Sequence, residues 1–159
     1  MKIKIIKETV FKDDRGLVWT SWKKKNNKFP NLNFIHDKFA FSKKNVLRGI
    51  HWDAKTWKLI SCVYGKIFFV VVNCKKKSKN YLKYKKIILK HDKNVSVLVP
   101  PMFGNAMLCL SNECVLHYKL SYKGKYNDHN KQFTLKWNDP KLKISWPLKK
   151  KIILSHRDK

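Results

Sequence analysis

Arg48, His51 and Lys58 lie within a dozen residues, in and just after the run Val46-Leu47-Arg48-Gly49-Ile50-His51. Histidine, with a reference pKa of about 6.5, suits the role of a base near neutrality. A lysine ammonium close by can stabilise an oxyanion. A short apolar run with a β-branched start reads as a strand, on which residues two apart share a face. Positions 47, 49 and 51 are then expected on one face, with Arg48 and Ile50 on the other. A kink at Gly49 would turn Arg48 toward the histidine. The same residues also read as a buried histidine beside a surface arginine, so the elements around them carry the decision.

Those elements are short and β-like. Residues 3–6, 9–11, 18–22 and 33–41 read as strands, with a turn at Asp13-Asp14-Arg15-Gly16 and a polar loop over 23–33 containing Pro30. Residues 57–63 and 66–73 read as two strands joined at Tyr64-Gly65, and Ile67 to Val72 is the most apolar run of the chain. Further strands are expected over 81–89, 96–99, 107–110, 114–120, 133–137 and 144–146. Pro100-Pro101 and Pro147 end two of them, because proline supplies no ladder donor. Many short strands with few helical signals indicate an all-β sandwich or barrel, and a jelly roll accommodates about ten strands in one domain over 1–159.

Composition narrows the function. With 43% hydrophobic and 13% aromatic residues the chain is not disordered. No apolar run approaches the ~18 residues of a membrane span, and the alternating start Met1 to Lys7 lacks the apolar region of a signal peptide. Cys62, Cys74, Cys109 and Cys114 show no CxxC spacing, so a zinc site is not indicated and free thiols in a reducing cytoplasm are expected. The net charge of +27 would suit a polyanion binder, with lysine runs at 23–25, 75–77 and 149–151. Yet only three of the 37 basic residues, Arg15, Arg48 and Arg157, are arginines, the residue for bidentate phosphate and base contacts. The scattered lysines read as solvated faces, and no specific nucleic-acid partner follows.

Several motifs occur in a recognisable order. They are Asp13-x-Arg15-Gly16, Ser42-Lys43-Lys44-Asn45-Val46-Leu47-Arg48-Gly49-Ile50-His51, Lys58-Leu59-Ile60, Gly65-Lys66-Ile67-Phe68, Trp137-Asn138-Asp139-Pro140 with Trp146-Pro147, and Leu154-Ser155-His156-Arg157-Asp158. In this order they resemble the dTDP-4-dehydrorhamnose 3,5-epimerase family, from about Phe11 to Asp158. The resemblance implies a cupin-type jelly roll (a double-stranded β-helix) and an isomerase that inverts C3 and/or C5 of a nucleotide-linked 4-keto sugar. It implies a place in surface-polysaccharide biosynthesis, no metal or cofactor, and a homodimer whose N-terminal strands, here Lys2-Ile3-Lys4-Ile5, add to the partner's sheet.

The resemblance also implies roles. His51 matches the catalytic base, Asp158 the aspartate that orients it, Tyr118 of Tyr118-Lys119 the acid, and Lys58 the enolate-stabilising lysine. Arg15, Arg48 and Arg157 match ligand positions. Departures cluster where nucleotide and sugar would bind: His36-Asp37-Lys38 replaces Q-D-N, Asp53 replaces a glutamine, and Asn105 replaces a ligand histidine. About three extra residues lie between Tyr118 and Trp137. They leave a dTDP-4-keto-6-deoxyglucose or a GDP-4-keto-heptose as substrate, beside a non-catalytic basic β-domain as the alternative. His36, His91, His117, His129 and His156 match nothing and are expected to be structural or surface residues. The chemistry is self-consistent: a C4 ketone acidifies the protons on C3 and C5, so a base on one face, an acid on the other and a cation at the enolate oxygen suffice.

Overall fold

The structure, a computed structural model, describes residues 3–24, 32–148 and 151–159. Lys2, most of the expected loop over 23–33 and part of the lysine run 149–151 lie outside the described residues. The strands are β1 (Lys4–Lys7), β2 (Val10–Asp13), β3 (Gly16–Trp19), β4 (His36–Lys43), β5 (Leu47–Trp52), β6 (Trp57–Tyr64), β7 (Lys66–Asn73), β8 (Tyr84–Lys90), β9 (Val95–Val99), β10 (Phe103–Cys109), β11 (Glu113–Ser121) and β12 (Phe133–Thr134). They form two five-stranded antiparallel sheets, ordered β1-β9-β6-β11-β4 and β12-β5-β10-β7-β8, and a separate β2-β3 hairpin. This is the expected all-β jelly-roll architecture. No helix among the described residues is long and apolar enough to cross a membrane.

β7 explains why the chain's most apolar run carries no alternation. Ile67, Phe69 and Val71 pack into the cluster between the sheets with Ile60, Val97 and Leu116. Phe68, Val70 and Val72 pack into a second cluster with Leu47, Ile50 and Leu142. A strand buried on both faces has no polar side to show. The second cluster is covered by Trp137, Trp146, Ile152 and Leu154 from the C-terminal segment. A third cluster, of Ile6, Phe34, Leu59 and Leu98, is covered by Trp22 and Leu32.

Several strand expectations change. Residues 144–146 form no strand: Trp146 lies in an irregular arm, with its ring nitrogen donating to the Trp137 carbonyl (2.9 Å) and its ring edge-on to Phe68. That arm packs by side chains over the sheet face instead of pairing at an edge. The strand expected over 133–137 is paired as β12 only at Phe133–Thr134. β10 begins four residues earlier than expected, at Phe103, where it pairs with Asn73 of β7; its Gly104 lies against Ile50 and Cys74, where a side chain would not fit. The described part of the N-terminal segment pairs with β9 of its own chain, Lys4 with Leu98 and Lys7 with Val95, and forms one edge of that sheet.

The central strand also departs from simple alternation. Opposite Asn105 and Met107 of β10, two residues apart, stand His51 and Arg48 of β5, three apart. This bulge inserts one residue beside Gly49, whose φ of 121° is a conformation that side chains rarely adopt. An added Cβ there would sit 2.6 Å from the Ala106 side chain and the Asn105 carbonyl. The consequence is functional. Leu47 and Ile50 both turn to the apolar outer cluster, while Arg48 and His51 turn to one cavity between the sheets. Leu47 therefore does not share the histidine's face, and the kink envisaged at Gly49 is what brings Arg48 to it.

Candidate active site

That cavity has a volume of about 440 Å³. Arg48 and His51 reach it from β5 and Asn105 from β10 of one sheet, and Lys58 from β6 and Tyr118 from β11 of the other. Arg157 and Asp158 close it from the C-terminal segment. Seven of the eight expected site residues thus meet in one place. Arg15 does not: it sits at the turn of the β2-β3 hairpin, its side chain 91% exposed and ion-paired to Asp13 at 2.6 Å. The hairpin stands as its own two-stranded sheet, so within one chain it carries the arginine away from the cavity.

Asp158 is placed by the tail's pairing, not by chance docking. The Leu47 N–H donates to the Ile153 carbonyl (3.0 Å) and the Ile153 N–H to the Asn45 carbonyl (2.9 Å). A short 3-10 turn over His156–Asp158 then brings the carboxylate to His51 Nε2 at 2.6 Å. The Ser155 hydroxyl donates to its second oxygen (2.9 Å). Burial pushes this carboxyl upward, but the bonds from His51, Ser155 and the Gly49 backbone outweigh it, and the net shift is below the ordinary aspartate value. A carboxylate only accepts, so the neutral His51 ring carries its proton on Nε2 and keeps its lone pair on Nδ1.

Burial acts on the facing sheet as well. It lowers the Lys58 ammonium to about 8, with Asp53 opposing and Arg157 reinforcing the shift. It raises the Tyr118 phenol to about 12, Arg48 opposing. Lys58 Nζ donates to Asn105 Oδ1 at 3.0 Å. Arg48 is held by Ser42 Oγ (2.9 Å) and the Phe41 carbonyl (3.0 Å). Arg157 is held by Thr134 Oγ1 (2.8 Å) and the Gln132 carbonyl (3.1 Å). The site combines an imidazole, a phenol on the opposite wall, a buried ammonium and two fixed guanidinium groups. These are groups of the kinds that proton transfer on a bound anion requires.

The cavity also contains residues that sequence reasoning passed over. His129 and His156, expected to be structural or surface residues, both line it, as do Lys38, Tyr126 and Asp128. His156 had a signal, its place beside Arg157-Asp158; His129 sits in the lengthened β11-β12 connection and had none. His36 instead meets Tyr122 (3.2 Å), His91 the Gly65 carbonyl (3.1 Å), and His117 Asp37 (2.6 Å) on the far face of β11.

The family model for dTDP-4-dehydrorhamnose 3,5-epimerase matches residues 1–159. The dTDP-4-dehydrorhamnose 3,5-epimerase of Escherichia coli is 30% identical over 162 residues, covering 97% of this chain and 85% of the relative. The Legionella pneumophila dTDP-6-deoxy-D-glucose-3,5-epimerase, solved with dTDP-4-keto-L-rhamnose, superposes with a TM-score of 0.91 at 28% identity, over 98% of this chain and 84% of that one. The Bacillus anthracis dTDP-4-dehydrorhamnose 3,5-epimerase, solved with TDP and PPi, gives 0.90 at 28% identity, over 98% and 90%.

The tautomer of His51 can be read directly. In nitrogen-15 NMR above the ring's titration, the proton should reside on Nε2, and Asp158→Ala should abolish that preference. A wild-type ring protonated on Nδ1 would remove the lone pair assigned to the base.

Proposed function

Since the chain belongs to the dTDP-4-dehydrorhamnose 3,5-epimerase family, we propose that it inverts C3 and C5 of dTDP-4-keto-6-deoxyglucose, as one domain over residues 1–159. Family membership makes the chain an epimerase and sets aside a non-catalytic polyanion binder. The observation that carries the reading is the opposition of His51 and Tyr118 on the two sheets that wall the cavity. His51 Nδ1 takes the proton from the carbon beside the C4 ketone. Lys58 holds the enolate oxygen, with a donor strength of about 3 kcal/mol typical of a preorganised oxyanion contact. Tyr118 delivers a proton to the opposite face, and exchange with solvent resets the pair. Arg48 and Arg157 bind the diphosphate through charge-assisted contacts. The dTDP-sugar and TDP of the Legionella and Bacillus relatives support the thymidine nucleotide over GDP. Four unpaired cysteines fit a reducing cytoplasm.

The active form is a homodimer, and the second copy supplies Arg15. The hairpin that carries it leaves Phe11 69% and Val18 65% exposed, which suits burial against another surface more than water.

Two measurements follow. Dissolved in deuterium oxide with dTDP-, GDP-, UDP- and CDP-linked 4-keto sugars, the protein should label C3 and C5 of the dTDP sugar by NMR. Preferential labelling of a GDP sugar would reassign the substrate, and no label on any of them would sink the reaction. Arg15→Ala and His51→Ala chains should each be nearly inactive alone, yet refolded together they should regain roughly a quarter of wild-type activity, since half the dimers are mixed and each mixed dimer has one intact site. No recovery would place Arg15 in its own chain's chemistry or outside it.

A further inference from the structure

Lys58 and Asn105 come from opposite sheets, Lys58 from β6 and Asn105 from β10. Asn105 stands directly across from His51 in the β5-β10 register. Its hydrogen bond with the Lys58 ammonium therefore spans the interior and draws that cation toward the wall that carries the base. Both side chains are almost fully buried, at 6% and 8% exposure. A carboxamide oxygen accepts from an ammonium in this setting without itself taking a proton. The histidine expected at this position by resemblance would compete for one.

We propose that Asn105 is a positioning residue, whose carboxamide holds Lys58 protonated and aimed at the enolate oxygen beside His51; this deepens the epimerase reading and rests on it. Without an acceptor a buried ammonium loses its proton more readily. Lys58 already sits at about 8 because of burial. The other groups around it are few. Asp53, after β5, favours the charged form, as does Cys74 after β7. Arg157 from the C-terminal turn and Lys38 from β4 oppose it. Across the cavity stand His51 and Asp158, paired to each other, and Tyr118 lies on the neighbouring strand. Asp53 Oδ1 is held by the N–H groups of Lys55 (2.9 Å) and Thr56 (2.7 Å), while its Oδ2 is buried without a partner. Asp53 thus supplies charge, and Asn105 the hydrogen bond to Nζ.

The sign of the pH dependence follows. Lys58 is active as the ammonium, so turnover falls as pH rises through its pKa. Asn105→Ala lowers that pKa and should move the alkaline limb of kcat down by about one pH unit, while Asn105→Asp adds a negative charge and should move it up by a similar amount. The limb should move in kcat more than KM changes, which a pure substrate ligand would not do.

The test has two arms. Carbon-13 NMR of Cε-labelled lysines in the substrate-free protein, with Lys58→Met to assign the signal, follows the titration of Lys58 itself. The rate profile on the dTDP sugar follows its use. Movement of both in the expected directions supports the proposal. A Lys58 midpoint unchanged in Asn105→Ala overturns it even where the enzyme is active. A midpoint that moves while the alkaline limb stays fixed removes Lys58 from the chemistry and overturns the positioning role. If Asn105→Ala does not fold, the near-isosteric Asn105→Asp carries the same decision, and an unmoved Lys58 midpoint there overturns the proposal.

Discussion

One hydrogen bond, 2.6 Å between His51 Nε2 and Asp158 Oδ1, ties β5 to the next-to-last residue of the chain. Much of the fold is needed to keep it. Chain ends fray unless tied down. Here the tail is paired with Asn45 and Leu47, and its apolar side chains, Ile152 and Leu154, pack with Trp146 over the outer face of the second sheet. That cluster does more than add buried area. It aims a carboxylate at an imidazole and so fixes which ring nitrogen is left to accept a proton.

Burial then sets the remaining protons. In the same cavity it weakens the charged form of each group, lowering Lys58 to about 8 and raising Tyr118 to about 12. Below the lower of these values the lysine is a cation and the tyrosine a neutral donor, the states that enolate stabilisation and proton delivery require. Two of the chain's three arginines line the cavity, each fixed by two hydrogen bonds or more, and the abundant lysines are mostly on exposed faces.

Most of the strands were legible because one face or both is apolar. The order of motifs around Arg48, His51, Lys58 and Asp158 also marks residues that the fold brings to one cavity. The parts that were not legible depend on tertiary contacts. No alternation rule reveals the bulge at Gly49, because the extra residue exists only relative to β10. Ile144 to Trp146 has the composition of a strand, yet its tryptophan finds a sheet face and no edge. His129 reaches the cavity through a connection with no periodicity to read. Arg15 fits the motif, yet the β2-β3 hairpin holds it outside the cavity, paired to Asp13.

The opposition of His51 and Tyr118 is the centre of the proposed mechanism, and the Tyr118→Phe protein tests it most directly. In deuterium oxide, deuterium entry into recovered dTDP-4-keto-6-deoxyglucose is compared with formation of the inverted sugar, both by NMR. If Tyr118 is the acid facing His51, exchange should persist while inversion falls by at least about tenfold. Loss of exchange and inversion by the same factor would contradict the two-sided site.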